Sequence, residues 1–143
     1  MNVLFVCSGN ICRSPMAKVL YDDMITKNGL PDVADSAGLR TQDGLCASVP
    51  AVRVMAEVFG LSLAEHRSKA LTPELVDWAD LIVCMTNRHV FEIRALYPQV
   101  NAVTLAQLAG RDFDIADPFG GSDEVYRTCA QTIDGLLSNM KRC

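Results

Sequence analysis

The sequence predicts an α/β protein: one open sheet of parallel strands sandwiched between helices in three layers. Short β-rich apolar runs alternate with longer stretches of helical spacing, and that alternation calls for parallel strands joined by right-handed crossovers. Two helical stretches open on a hydroxyl residue followed by proline, Ser14-Pro15 and Thr72-Pro73, the pattern of a cap and a first-turn proline. Half of the 143 residues are hydrophobic and 21% are charged. That supplies the core of one domain spanning residues 1–143 and excludes a disordered or collagen-like chain.

Asn2 to Val6 reads as a buried strand, stopped by Ser8-Gly9-Asn10. The helix opened by Ser14-Pro15 carries Met16, Val19, Leu20 and Met24 at apolar spacing and ends at Asn28-Gly29 and Pro31. Val33 to Ala37 is a weak second strand. Ser48 to Phe59 has helical spacing and stops at Gly60, and Thr72-Pro73 opens a short helix to Ala79. Leu81 to Met85 is a strongly apolar third strand, Asn87 to Leu96 a helix, and Val100 to Leu105 a fourth strand. Ala106 to Gly121 reads as irregular, and a connection of that length inside a compact domain tends to be functional. Ser122-Asp123-Glu124 caps a last helix whose apolar face is Val125, Cys129, Ile133, Leu136, Leu137 and Met140.

Several function classes are excluded. Neither Val3–Val6 nor Leu81–Met85 approaches the roughly 18 apolar residues that span a bilayer, so no membrane role is expected. The start lacks a basic leader and a cleavage site, which points to the cytoplasm. Thirteen basic residues against seventeen acidic ones, with no basic run, leave no nucleic-acid footprint. The six cysteines, Cys7, Cys12, Cys46, Cys84, Cys129 and Cys143, show no zinc spacing with His66 or His89, so no metal or other cofactor is expected. Most of them read as small buried apolar residues. The two histidines read as satisfied structural or surface groups, Arg67 and Lys69 as part of a solvated segment, and Trp78 as core.

In doubly wound sheets, ligands sit beyond the carboxyl ends of the strands, so attention falls on Cys7-Ser8-Gly9-Asn10-Ile11-Cys12-Arg13-Ser14-Pro15. This short loop leaves a buried strand and enters a helix. Gly9 and Asn10 tolerate the left-handed backbone that lets consecutive N–H groups turn inward as an anion nest. The helix amino end adds about half a positive charge, and Arg13 offers a bidentate grip on two phosphate oxygens. Cations and helix ends also favour the thiolate form of a cysteine, so Cys7 is the candidate nucleophile beneath the anion. A basic leaving group needs a proton donor. Asp112, Asp114 and Asp117 all lie in the irregular stretch, and composition does not separate them.

Val6 to Pro15 resembles the signature of the low-molecular-weight protein tyrosine phosphatases. Ser36-Ala37-Gly38, His66-Arg67-Ser68, Ala79-Asp80-Leu81-Ile82 with Met85, and Asp117-Pro118-Phe119 extend the resemblance over the chain. It implies a four-stranded parallel sheet and a metal-independent phosphatase working through a phosphocysteine. By matching position, it implies Cys7 as nucleophile, Arg13 as the arginine that stabilises the transition state, and Asp117 as general acid. Asn10 would hold the loop in shape, and Ser14 would hydrogen-bond the thiolate. Ser8, Gly9, Asn10, Ile11, Cys12, Ser14 and Phe119 make up the substrate-binding set. The resemblance further implies that Cys12 can trap an oxidised Cys7 as a disulfide.

The substrate class divides the two ends of the chain. Phe119-Gly120-Gly121 replaces the tyrosine pair of the animal enzymes, and the Asp117-to-Ser122 stretch with Tyr126-Arg127-Thr128 resembles the bacterial branch that includes protein arginine phosphatases. That branch tends to carry threonine where this loop has Ile11, and isoleucine offers only apolar bulk suited to an aromatic ring. The expected partner is therefore a phosphotyrosine protein, with phosphoarginine second, acted on by a monomer. Arsenate reduction ranks lower, because Cys84 lacks a nearby partner cysteine. A non-catalytic phosphate-binding module has no use for both Cys7 and Asp117.

Overall fold

The computed structural model describes residues 1–141, so Cys143 lies outside the described residues. Its centre is β1 (Asn2–Cys7), a run of β-branched and aromatic residues whose Val3, Leu4, Phe5 and Val6 are wholly buried. It pairs in parallel with β2 (Val33–Gly38) on one side and β3 (Leu81–Cys84) on the other, and β4 (Ala102–Thr104) completes the order β2-β1-β3-β4. All four strands are parallel, as the resemblance implied.

Alternate residues of β1 feed two cores, because successive side chains leave a strand on opposite faces. Val3, Phe5 and Cys7 face α1 (Arg13–Asn28), α2 (Val49–Val54), α5 (Leu105–Leu108) and α6 (Asp123–Ser138). Phe5 meets Tyr21 of α1 edge-on, with ring centroids 5.7 Å apart. Leu4 and Val6 face α3 (Pro73–Trp78) and α4 (Asn87–Leu96), where Trp78 packs against the second core. These are the three layers expected.

The structure corrects some local readings. The Ala106–Gly121 stretch is not wholly irregular, because a capping box of Thr104 and Gln107 nucleates α5 at its start. The α2 helix widens into a π-helical turn at Met55–Phe59 before Gly60 ends it in a left-handed conformation. The α1 helix starts at Arg13 after Cys12, with no side-chain cap. The Ser14 hydroxyl is occupied elsewhere, as the site shows.

The chain leaves β1 toward β2 on one side and later reaches β3 on the other. The crevice at this reversal, above the ends of β1 and β3, is where an open α/β sheet receives ligands. No described helix is long and apolar enough to cross a membrane.

Candidate active site

The loop from Cys7 to Arg13 fills that crevice, and Asn10 sets its shape. Asn10 has φ 55°, the one positive φ outside glycine among the described residues, which asparagine accepts more readily than other L-residues. Its fully buried side chain spends every polar group. Nδ2 donates to Ser14 Oγ at 2.8 Å and Ser36 Oγ at 3.0 Å, while Oδ1 accepts the Lys69 N–H at 3.0 Å. Its N–H points at Cys7 Sγ, 3.3 Å away.

Those bonds also dispose of the Ser14 proton. With Asn10 donating to its oxygen, Ser14 has one hydrogen left, and Cys7 Sγ at 3.0 Å is closer than the Ala37 carbonyl at 3.4 Å. Two donors thus converge on the sulfur, and an anionic sulfur accepts such bonds better than a neutral thiol. The N–H groups of Gly9, Ile11 and Cys12 have no acceptor among the described residues, which leaves them for an incoming anion.

Arg13 closes the other side. Its side chain is 5% exposed, with Nη1 donating to the Ile115 carbonyl at 2.8 Å and Nη2 lying 3.7 Å from Asp117 Oδ2. Nε is buried with no hydrogen-bond partner among the described residues, and a buried donor of that kind calls for an acceptor. Asp117 is 52% exposed at its carboxylate, and Oδ1 accepts the Phe119 N–H at 3.1 Å, an Asx turn that fixes its direction. Asp112 is not among the residues lining this cavity, and Asp114 is spent on the N–H and side chain of Asn87, which leaves Asp117 as the carboxylate at the site.

A cavity of about 280 Å³ joins these groups. Cys7, Ser8, Gly9, Ile11, Cys12, Arg13, Arg40, Asp117 and Phe119 line it. Phe119 stands 67% exposed. Two of the expected substrate contacts move out of that set. Asn10 and Ser14 are fully buried and do not line the cavity, so they shape the loop and the sulfur instead of touching a substrate.

The histidines matter more than the sequence indicated. His66 Nε2 reaches the Asn10 carbonyl at 2.7 Å, which places its proton on that nitrogen. Burial pushes its pKa down. His89 Nε2 lies 3.0 Å from Ser8 Oγ, and its Nδ1 is buried without a partner among the described residues. Burial, helped by repulsion from Arg13, pushes His89 down to about 4, so the ring is neutral. The neutral ring and the Ser8 hydroxyl share this one hydrogen bond, which anchors Ser8 at the cavity to α4. No spacing in the sequence announces these contacts, because each partner lies more than fifty residues away along the chain. Lys69 likewise is not simply solvated: its ammonium pairs with Asp35 at 2.6 Å while its backbone braces Asn10.

Cys12 hydrogen-bonds Ser48 at 3.3 Å and Tyr126 at 3.4 Å, and burial pushes its thiol pKa up against those bonds. Among the described residues, no group of three or more His, Cys, Asp or Glu is placed to hold a metal ion.

A sulfur under an arginine-closed anion cradle, at the switch point of a parallel sheet, is the layout of a phosphoric monoester hydrolase. The chain belongs to the low molecular weight phosphotyrosine protein phosphatase family, whose model matches residues 2–142. It is similar to the protein-arginine-phosphatase of Geobacillus stearothermophilus, 42% identical over 96% of this chain and 92% of that protein. The crystal structure of the low molecular weight protein tyrosine phosphatase from T. tengcongensis superposes with a TM-score of 0.94, at 35% identity, over 97% of this chain and 96% of that one. YwlE arginine phosphatase superposes at 0.93, with 34% identity over 97% and 92% of the two chains, in a cysteine-to-serine variant whose active-site serine is phosphorylated.

Proposed function

We propose that this protein hydrolyses phosphotyrosine in proteins, with Cys7 as nucleophile, Arg13 as the transition-state clamp and Asp117 as general acid and then base. The observation that carries this is the pair of donors on Cys7 Sγ, Ser14 Oγ and the Asn10 N–H, directly under unbonded loop amides and the unpaired Nε of Arg13. The phosphoryl oxygens take the places those donors await. Cys7 Sγ attacks phosphorus, the bond to the tyrosyl oxygen breaks, and Asp117 delivers a proton to that oxygen. Asp117, now a carboxylate, takes a proton from water as the water attacks the phosphocysteine. Inorganic phosphate leaves and the sulfur anion returns. Arg13, holding the Ile115 carbonyl with one nitrogen, keeps the others for the equatorial oxygens, where charge builds up.

The apolar walls Ile11 and Phe119 favour an aromatic ring over a guanidinium, whose N–H groups need acceptors that isoleucine lacks. Phosphoarginine is the second reading, favoured by the similarity to the Geobacillus stearothermophilus enzyme. We further read residues 1–143 as one domain acting as a monomer on phosphorylated proteins in the cytoplasm. Peroxide would convert Cys7 to a sulfenic acid, and the Cys12 thiol would displace water from it to give a disulfide. Mass spectrometry after peroxide treatment tests that step by the Cys7–Cys12 linkage.

The decisive test is metal-free kinetics on both phosphoamino acids. Wild type should favour phosphotyrosine, Cys7→Ser should turn over neither, and Ile11→Thr should shift the ratio toward phosphoarginine. Faster wild-type turnover of phosphoarginine would reverse the ranking.

A further inference from the structure

We infer that Arg40 is a specificity-determining residue that reads an acidic side chain beside the phosphorylated residue of a protein substrate. This rests on the reading of the site as a protein phosphatase and adds a preference within it. Arg40 lines the catalytic cavity although it lies far along the chain from the loop, just past the end of β2. Its place is fixed by the loop itself. The Arg40 N–H donates to the Ser8 carbonyl at 2.8 Å, and the preceding Leu39 N–H donates to the Cys7 carbonyl at 3.0 Å. The residue that carries this cation is therefore clamped to the residues that carry the chemistry.

Arg40 and Arg13 differ in what they can reach. Arg13 is buried and already committed to the Ile115 carbonyl and the floor of the cavity. The Arg40 side chain is 57% exposed, so it faces whatever flanks the phosphorylated residue. Its Nη1 contacts Glu92 Oε2 at 2.6 Å, and its Nε and Nη2 carry no hydrogen bond among the described residues. Glu92 is also claimed by Arg88, whose Nε donates to Oε1 at 3.1 Å. Those two bonds hold Glu92 ionised. In the cavity lining Arg13 and Arg40 stand against the single carboxylate of Asp117, and outside it Arg40 and Arg88 share Glu92, so cations outnumber carboxylates here in a protein whose overall charge is −4. An acidic peptide is repelled by the net charge of the whole protein and attracted by the guanidinium of Arg40.

An exposed pair of this kind corresponds to a rate preference of about two- to five-fold in kcat/KM. The test measures kcat/KM on two phosphotyrosine peptides that differ only in having Glu or Gln beside the phosphorylated residue, and on the same pair built on phosphoarginine. Wild type should prefer the Glu peptide of whichever phosphoamino acid it turns over, mainly through KM, and the preference should shrink at about 0.5 M salt. Arg40→Gln should abolish the preference. Glu92→Gln, which removes the competing carboxylate and frees the guanidinium, should enlarge it. A merely structural Arg40 would slow both peptides alike and leave their ratio untouched, and that result overturns the inference. So does a wild type indifferent to the flanking charge, while the phosphatase reading stands. Turnover of neither phosphoamino acid overturns both.

Discussion

Asn10 holds the site together at the scale of one residue. It combines a left-handed backbone with bonds to Ser14, Ser36, Lys69, His66 and the Cys7 sulfur. Asn10→Ala would take one donor from the Ser14 and Ser36 hydroxyl oxygens, leave the Lys69 N–H without its acceptor and put alanine at a positive φ. We expect a loss of about 2–4 kcal/mol of stability in urea unfolding, with turnover falling alongside it. Asp117 is the opposite case, an exposed carboxylate with little structural duty. Asp117→Asn should preserve the unfolding midpoint yet lower kcat about 10²–10⁴-fold on phenyl phosphate, and less on aryl phosphates with acidic leaving groups. Equal losses on both would overturn the proposal that it acts as the acid. The placing of Cys7 and Arg13 together was legible because one loop holds both, whereas singling out Asp117 from Asp112 and Asp114 needed the family resemblance. Ser8, Asn10 and Ser14 were legible as loop residues. Their partners His66, His89 and Arg40 were not, since only the folding of distant strands and helices brings them to the loop.

Among the elements, the helix starts divide by what their hydroxyls can find. Thr72, Thr86, Thr104 and Ser122 accept the N–H three residues on, as helix caps do. Ser14 has the same local pattern but spends its hydroxyl on Cys7, so the sequence rule failed where the chemistry needed the group. The end of β2 is equally constrained. A Cβ on Gly38 would stand 2.9 Å from the Ser8 carbonyl oxygen and 3.0 Å from Asn10 Cβ. The loop therefore rests directly on the strand backbone. Gly38→Ala should push the loop outward, costing about 1–3 kcal/mol by thermal unfolding and reducing phosphate affinity. Full activity in that variant would show that the loop tolerates displacement. The four strands were legible in the apolar runs, but their order β2-β1-β3-β4 was not, and the short α5 was hidden inside a stretch rich in glycine and aspartate.

For the whole molecule, His89 couples folding to pH. It faces Arg13 and Arg40, which oppose its charge, and Glu92 and Asp114, which favour it, and burial outweighs both. Its folded pKa of about 4 lies below the ordinary 6.5. Unfolded chains therefore bind a proton there that folded ones refuse. Stability is fully present above pH 6.5 and falls toward pH 4, by up to about 3 kcal/mol. Urea midpoints from pH 7 to pH 4.5 should drop in wild type and drop less in His89→Asn. His66, shifted in the same direction, keeps part of the slope. An equal slope in the two proteins would place the acid sensitivity elsewhere.

The bond from Arg13 to the Ile115 carbonyl has one more effect. It ties the guanidinium to the path of the chain and not to any particular side chain, while the Ile115 N–H is anchored in turn to the Met85 carbonyl beyond β3. Replacing Ile115 by another apolar residue leaves this tether whole, whereas inserting one residue just before it shifts the carbonyl out of reach. Drift in amino-acid identity is thus tolerated at that point of the segment, and drift in its length is not.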